Sequence, residues 1–253
     1  MTHEMVGILD ADKITQREIQ RVDPEVISGF EELKDLAGIV ARALDNLGIC
    51  GTVPATSLPP LAPGSRVVGS AITVRSIPER EIPYRYWERG DPTLLGEREA
   101  FFLAQDGDVI VIDGSSVYPA SNLGSMSVAL AARLGAAGIV VDGTVTGVEL
   151  IRTVPIPVWS KGGTTITGHH RLETAEINGP IGICGIRVEP GDVVIGDESG
   201  VTVVPRERAS EVLALCQKMR GAFTKVRDMI AEGADREELR QVLGAQMKAY
   251  TDK

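Results

Sequence analysis

Residues 109–147 read VIVIDGSSVYPASNLGSMSVALAARLGAAGIVVDGTVTG. Two runs of β-branched residues, 109–113 and 139–142, each end in Asp-Gly, which is typical of a buried strand that runs into a turn. Between them, apolar residues recur every four positions, as on one face of a helix: Met126, Leu130 and Leu134. The segment therefore predicts a strand, a helix over 122–134 and a second strand, which together form a β-α-β unit.

The flanking sequence mixes helix and strand signals. Apolar residues recur at helical spacing over 24–48, and Gly48 ends this predicted helix. The last third of the chain has short β-branched runs separated by Gly, Pro and Asp, which predict a β-rich layer with hairpins. From Arg206 the pattern is helical again, with a break at Gly233 and with Asp235 as the N-cap of the last helix.

Composition excludes several classes of function. The chain has 253 residues, 43% apolar and 24% charged, as in a soluble globular protein. Its net charge of −9 repels nucleic-acid phosphates and anionic membranes, so neither is an expected partner. No run of about 18 apolar residues predicts a membrane span. The N-terminus does not resemble a signal peptide, and the three scattered cysteines indicate reduced thiols, so we expect a cytoplasmic protein.

The start of the helix predicted over 122–134 is a candidate anion site. The first N–H groups of a helix have no intrahelical acceptor and carry the positive end of the helix dipole. We expect Ser121 or Asn122 to cap this helix, while Gly124 and the small Ser125 leave room for a carboxylate near the backbone. An ordinary capped helix without a ligand is the alternative.

A second candidate site is the segment VDGTVTG at 141–147, directly after a predicted strand. In open α/β sheets, ligands bind beyond the carboxyl ends of the strands. The two candidates lie at the two ends of one helix-strand connection. They therefore face either one cleft or two clefts between neighbouring subunits.

Other signals of chemistry are weak. The sequence contains no P-loop and no G-x-G-x-x-G, H-E-x-x-H, C-x-x-C or G-x-S-x-G motif. Adjacent residues in a strand point to opposite faces, so His169 and His170 are expected in a loop or an interface rather than in a metal chelate. The aromatic and basic segment 84–89 predicts a surface loop with an aromatic anchor or, alternatively, a lid over a pocket.

Four stretches of the chain carry a family likeness: GSAITVRSIP (69–78), GDVIVIDG (107–114), NLGSMSVALAARLGAAGIVVDGTVTG (122–147) and INGPIGICGIRVEPGDVVIGDESGVTVVP (177–205). They resemble the RraA-like family. This family includes the regulator of ribonuclease activity A and the class II 4-hydroxy-4-methyl-2-oxoglutarate aldolases, and many members were mislabelled demethylmenaquinone methyltransferases. The likeness extends over about residues 30–206.

The resemblance implies an α/β fold, a three-layer ββα sandwich similar to swivelling phosphohistidine-type domains, with an N-terminal helix and a C-terminal helical extension. It implies a single RraA-like domain over 1–253, with its core at about 30–206 and helices at 206–250. It also implies a homotrimer or a homohexamer with active sites at subunit interfaces. Aldolase members bind the pyruvyl group with the amides of a helix start, and a strand-end Arg-Asp pair grips the keto acid and holds Mg²⁺ or Mn²⁺ through water.

Matched by motif, the helix start of this family falls on Gly124, and Ser125 stands where an aldolase has an acid. Met126 and Ser127 offer the backbone amides. The family motif D-G-x-x-R-D reads DGTVTG in this chain, which places Thr146 at the Arg position. The resemblance therefore implies substrate binding by Gly124, Ser125, Met126, Ser127 and Thr146.

The metal-holding Asp of the family motif is Gly147 in this chain. A glycine cannot orient a metal-bound water, and threonine cannot clamp a carboxylate with two hydrogen bonds. We therefore assign no metal ligand, no cofactor and no catalytic residue from the sequence. Four polar residues nearby are candidates to reach the site, although a surface or interface role is expected for each: Glu149, Arg152, Lys161 and His169.

Two functions fit these observations. The first is a carbon–carbon lyase that performs retro-aldol cleavage or decarboxylation of a small 2-oxo or hydroxy acid with a rearranged catalytic set. The alternative is a catalytically inactive ring that binds a small anion or a protein partner, with the helices at 206–250 as extra contact surface. A quinone methyltransferase is rejected, because the sequence shows no glycine-rich cofactor loop with a downstream ribose-binding acid.

Overall fold

The structure is a computed structural model that describes residues 9–114 and 119–251. Its α-helices are α1 (Pro24–Glu31), α2 (Leu36–Asn46), α3 (Pro83–Arg89), α4 (Arg98–Leu103), α5 (Ser125–Arg133), α6 (Val148–Ile151), α7 (Ala209–Ala231) and α8 (Arg236–Thr251). Its strands are β1 (Thr52–Pro54), β2 (Val67–Pro78), β3 (Val109–Asp113), β4 (Ser121–Gly124), β5 (Gly138–Asp142), β6 (Thr144–Thr146), β7 (Val158–Ser160), β8 (Leu172–Ile177), β9 (Ile181–Ile183), β10 (Ile186–Val188), β11 (Val193–Asp197) and β12 (Gly200–Val204).

One large sheet organises the molecule. Its strand order is β1-β12-β11-β2-β3-β5-β7, and β8 also pairs with β2. Strands β2, β3, β5 and β7 are parallel, whereas β1, β12, β11 and β8 join antiparallel. The carboxyl ends of β3 and β5 are in register at Asp113 and Asp142, so the turns that follow these strands leave the sheet at the same edge.

The sheet lies between a helical layer and a layer of strands. Alternate residues of the central strands face two sides, because side chains along a strand point up and down in turn. On one side, Ile110 and Ile112 belong to the core that α4 and α5 cover, while α1, α2 and α7 cover β11 and β12. On the other side, Val109 and Val111 pack with the β9–β10 hairpin. The predicted α/β sandwich of three layers is confirmed.

The predicted β-α-β unit is present, but its helix starts later than the sequence indicated. The chain remains extended through β4 because this strand pairs with β6. Gly124 is the N-cap of α5 and has no side chain that could cap this helix. The prediction that Ser121 or Asn122 caps the helix is therefore wrong, since both residues belong to β4.

The helix predicted over 24–48 is two helices. The chain breaks at Asp35, which adopts a left-handed conformation with φ of 52°. The N–H of Ala37, in the first turn of α2, donates to the carboxylate of Asp197 at 2.8 Å. That acceptor is 160 residues away in sequence, so apolar spacing alone could not reveal the break.

The sequence predicts segment 84–89 as a surface loop or, alternatively, as a lid over a pocket, and the loop prediction is wrong. It lies in α3, which has Pro83 in its first turn and ends at Gly90 with φ of 73°. A proline in the first turn and a left-handed glycine after the last are standard helix boundaries. At the C-terminus, the predicted break and N-cap are confirmed, because Asp235 Oδ1 accepts the N–H groups of Glu237 and Glu238. None of the helices in the described part of the chain is long and apolar enough to cross a membrane.

Candidate functional site

A small cavity of about 90 Å³ lies where the start of α5 meets the segment before α4 and the turn at 167–169. Four of the five predicted binding residues line it: Gly124, Met126, Ser127 and Thr146. Ser125 lies next to these residues but is not part of the lining. Pockets for drug-sized ligands measure roughly 300–1,000 Å³, so this cavity fits only a ligand of few atoms.

The first turn of α5 provides the positive side of the cavity. The N-cap is a glycine, which has no side chain to accept the first N–H groups of the helix, and these groups lie at the positive end of the helix dipole. Met126 and Ser127 of this turn line the cavity, and Gly124 has no Cβ to obstruct it. An added Cβ on Gly124 would lie 3.4 Å from Thr146 Oγ1, which places the two predicted segments directly beside each other.

A buried carboxylate next to the first turn of α5 also lines the cavity. Glu97, which is only 5% exposed, accepts a hydrogen bond from Ser127 Oγ at 2.8 Å. Arg98 Nε donates to the same hydroxyl at 3.2 Å and lies 3.9 Å from Glu97 Oε1. Burial raises the pKa of Glu97, while the Ser127 hydrogen bond and the Arg98 charge act in the other direction. The cavity therefore contains an acid that holds its proton more tightly than an exposed glutamate does.

Contacts with β8 fix the backbone directly before Glu97. The N–H of Gly96 donates to Thr174 Oγ1 at 2.9 Å, and Leu95 packs in a small apolar cluster with Leu172. A Cβ on Gly96 would lie 2.4 Å from Leu9 Cγ, so the glycine permits this close approach. The turn before α4 is thereby fixed with Glu97 facing the cavity.

The remaining wall comes from β4, β6 and the turn at 167–169. Ser121 Oγ and Thr146 Oγ1 are 3.3 Å apart. Gly168 approaches β4 so closely that an added Cβ would lie 2.1 Å from Ser121 O. This approach brings His169, which is exposed to solvent, to the edge of the cavity.

The two histidines lie in a turn, as predicted, and have separate environments. His170 is buried and stacks on Tyr86 of α3, with ring centroids 5.5 Å apart. Trp87 lies edge-on to the same histidine at 6.1 Å. Helix α3 therefore packs on His170, next to the cavity residue His169.

Asn122 occupies a place that the sequence did not indicate. Its side chain is fully buried, and neither its amide oxygen nor its nitrogen has a hydrogen-bond partner among the described residues. It lies against Gly114 and Gly143, the glycines that follow β3 and β5, where an added Cβ would be 2.5 Å and 2.3 Å from Nδ2. The two Asp-Gly turns thus make room for this side chain.

Lys161 does not reach the cavity. Its ammonium pairs with Asp142 at 2.6 Å, and the other carboxylate oxygen of Asp142 accepts the N–H of Cys184 at 2.6 Å. Arg152 donates instead to the carbonyl of Leu61 at 2.8 Å. Of the four polar residues considered as candidates, His169 alone lines the cavity, while Glu149, Arg152 and Lys161 do not.

The residues at the family's metal position do not fit a divalent cation. Ser125 offers only a hydroxyl and Gly147 has no side chain, whereas proteins hold Mg²⁺ and Mn²⁺ with carboxylates. Within 9–114 and 119–251, no group of three or more His, Cys, Asp or Glu side chains is arranged to hold a metal ion.

Larger clefts lie elsewhere on the surface. One of about 620 Å³ separates α2 from the C-terminal helices, and another of about 520 Å³ lies beside Arg75 and Asp113. We base the functional site on the smaller cavity because a buried acid, a cation and a helix start converge there, and convergence of polar groups rather than volume distinguishes a binding site.

Glu97 and Arg98 are not among the residues predicted from the sequence, although one signal points to Glu97. Glu97 falls three and four residues before Ala100 and Phe101, which are both buried. An acid on the apolar stripe of a helix is placed in the interior, where it requires a specific partner. The hydroxyl of that partner, Ser127, lies 30 residues away in sequence.

Comparison with known proteins gives consistent results. A family model described as RraA-like, aldolase/RraA, matches residues 31–203. An uncharacterised protein of Methanocaldococcus jannaschii is 30% identical over 217 residues, which make up 83% of this chain and 97% of that protein. A Halalkalibacterium halodurans protein is 32% identical over 179 residues, covering 71% of this chain and 77% of that protein; its name provisionally assigns 4-hydroxy-4-methyl-2-oxoglutarate aldolase activity.

Among solved structures, Streptomyces coelicolor RraAS2 is similar to this chain. It is described as an unusual member of the RNase ES inhibitor RraA protein family. The TM-score is 0.68 at 26% sequence identity, and the match covers 82% of this chain and 99% of that one.

Proposed function

Because the chain belongs to the RraA-like family, we propose that it is a carbon–carbon lyase that acts on a small 2-oxo or hydroxy acid. The proposed reaction is retro-aldol cleavage or decarboxylation. The single observation that carries this proposal is the cavity, in which Ser127 of the first turn of α5 is hydrogen-bonded to the buried Glu97 and to the partly exposed Arg98.

The substrate carboxylate is proposed to bind at the start of α5. The N–H groups of the first turn and the helix dipole attract an anion there, and the small cavity restricts its size. The Arg98 guanidinium adds a positive charge beside Ser127, which compensates in part for the threonine at position 146. Both reactions develop negative charge on the 2-oxo oxygen, and fixed N–H donors and a cation stabilise such charge.

No step of this proposal passes through a metal. Ser125 and Gly147 do not provide the carboxylates of the family's metal position. The proposed catalytic set therefore consists of the groups that line the cavity, and it differs from the Arg-Asp pair of the aldolases.

The second candidate function is a non-catalytic ring that binds a small anion or a protein. Large apolar side chains on the surface favour it, including Met126 at 76% exposure and Trp87 at 60%. Apolar side chains exposed in this way are found at surfaces that associate with other proteins. A homotrimer or homohexamer that covers them is compatible with both functions.

Pyruvate release distinguishes the two functions. Purified protein is incubated with oxaloacetate or a 4-hydroxy-2-oxo acid, and pyruvate is measured with lactate dehydrogenase and NADH against a protein-free blank. The lyase proposal expects turnover that the Gly124→Val variant abolishes, because a side chain at this position fills the cavity. The extended backbone of Gly124, with φ of −107°, accepts a valine.

The matched control is Gly182→Val. Gly182 is exposed in β9, and a Cβ there meets nothing within 4 Å, so this variant should retain full turnover. If the wild-type protein releases no pyruvate from either substrate yet binds oxalate, the non-catalytic function is favoured.

A further inference from the structure

We propose that Glu97 carries the proton in this site, taking it from the substrate and returning it to carbon. This inference rests on the proposed lyase function and gives one residue a defined role in it. Glu97 lies directly before α4, outside the candidate segments at 121–127 and 141–147.

The position of Glu97 supports this role. Its carboxyl lies on the wall of a cavity that also contains the first turn of α5, so one small ligand can contact both. Ser127 links the Glu97 carboxyl to the start of α5, because its hydroxyl donates to Glu97 at 2.8 Å and its backbone belongs to the helix start. We regard Ser127 as a positioning residue for the carboxylate.

Other proton carriers near the cavity are less suitable. Among the described residues that line it, the titratable side chains are Glu97, Arg98 and His169. The Arg98 guanidinium does not lose its proton in proteins. His169 is exposed, whereas Glu97 is buried and its orientation is fixed by a hydrogen bond. Burial also raises the proton affinity of Glu97, as for the general acids and bases of other enzymes.

The proposed proton path balances without another reagent. The Glu97 carboxylate removes the proton from the 4-hydroxyl of a 4-hydroxy-2-oxo acid. The C4–O bond becomes a carbonyl, and the C3–C4 bond breaks as its electron pair forms the C2–C3 enolate. Glu97 then gives the proton to C3, which yields pyruvate and a second carbonyl compound and restores the carboxylate.

The half-reaction at C3 tests Glu97 without requiring the natural substrate. In D₂O, a group that moves protons at C3 exchanges the methyl hydrogens of pyruvate for deuterium, which proton NMR measures as loss of the methyl signal. We expect the wild-type protein to catalyse this exchange and Glu97→Gln to slow it about 100-fold or more, the usual effect of losing a general acid–base group.

The matched control is Glu99→Gln. Glu99 is buried in the first turn of α4, two residues after Glu97, but it does not line the cavity, so this variant should exchange at the wild-type rate. Oxalate binding, measured by calorimetry, should remain within about threefold of the wild-type value in both variants, since the helix start is unchanged. If Glu97→Gln does not fold, Glu97→Asp withdraws the carboxylate by one methylene and should slow exchange at least tenfold.

The outcomes separate this inference from the proposed function. Equal exchange by the wild-type protein and a folded Glu97→Gln variant overturns the role of Glu97 and leaves the lyase proposal in place. Oxalate binding without any exchange by the wild-type protein also overturns the role of Glu97. If neither pyruvate nor oxalate binds to the wild-type protein, the proposed function fails and the role of Glu97 fails with it.

Discussion

Gly147 lies against Ser125, so that a Cβ added to Gly147 would be 2.9 Å from Ser125 Oγ. These are the two positions at which the family's acidic residues are expected, and they are neighbours in space although 22 positions apart in sequence. Gly147 also has a φ of 76°, a conformation that residues with side chains rarely adopt. The local backbone is thus suited to a glycine at this position.

The first prediction concerns the cost of a side chain at position 147. Gly147→Ala should destabilise the protein by more than Gly64→Ala, because Gly64 has a similar φ of 72° but nothing within 4 Å of an added Cβ. We expect the backbone strain to lower the free energy of unfolding by roughly 1–2 kcal/mol at either site. At Gly147 the contact with Ser125 should lower it by about 1 kcal/mol more. Urea unfolding measures both values.

A second substitution isolates the contact with Ser125. Ser125→Gly combined with Gly147→Ala should bring the loss of stability back toward that of Gly64→Ala, because the double variant lacks the crowded hydroxyl. If the two single glycine variants unfold at the same urea concentration, Ser125 does not crowd position 147.

The second prediction concerns metal removal. Because positions 125 and 147 carry no carboxylate, EDTA should leave the exchange of pyruvate methyl hydrogens unchanged. The measurement compares exchange rates after dialysis against EDTA, with and without added Mn²⁺. Loss of exchange in EDTA and its recovery with Mn²⁺ would show that other residues hold a catalytic metal.

The third prediction follows from the buried carboxyl of Glu97. Burial raises the pKa of Glu97 in the folded protein above its value in the unfolded chain, about 4.3. The contribution of Glu97 to stability is then fully present below that pH and is lost as pH rises through the folded pKa. Glu97→Gln cannot ionise, so its free energy of unfolding should increase relative to wild type as pH rises above about 4.3.

Urea unfolding of both proteins between acidic and neutral pH tests this third prediction. Parallel stability curves would mean that the pKa of Glu97 does not change on folding. The Glu99→Gln variant shows whether any neutralised acid on α4 gives the same result.

The fourth prediction concerns Asp142. Its carboxylate accepts the N–H of Cys184 and pairs with Lys161. Asp142→Asn should therefore lower the free energy of unfolding by roughly 1.5–3 kcal/mol, as for the loss of other hydrogen bonds to charged groups. Burial and the Asp142 charge raise the pKa of the Cys184 thiol, whereas Lys161 lowers it. Removing the charge should therefore lower this pKa and speed alkylation of Cys184.

Mass spectrometry after iodoacetamide treatment at pH 8 measures this reactivity. Cys216 is the internal control for opening of the whole fold, because burial raises its pKa to about 12. An unchanged ratio of Cys184 to Cys216 labelling would contradict the proposed influence of Asp142.

Much of the fold was predictable because the residues that determine each of these strands and helices lie within that element or next to it in sequence. The strands at 109–113 and 139–142 follow from β-branched runs before Asp-Gly, and the last helix follows from Asp235 as its cap. Errors arose where a distant partner decides the local structure. Asp197 caps α2 from the sheet, and pairing with β6 keeps residues 121–124 extended.

The candidate site was predictable only in part. The helix itself was found because its apolar stripe is local, whereas its first residue was predicted at 122 and lies at Ser125. Glu97 was missed because its role depends on burial and on a partner hydroxyl, Ser127, that lies on another helix. Spacing along the chain does not reveal such a contact.

The central claim is that a small carboxylate binds at the first turn of α5. Protein labelled with ¹⁵N-methionine tests it most directly, because the chain has only six methionines and Met126 lies in that turn. Its amide resonance, assigned with Met126→Leu, should move saturably as oxalate is added and should not move in Gly124→Val. A Met126 resonance that stays fixed at saturating oxalate would contradict the claim.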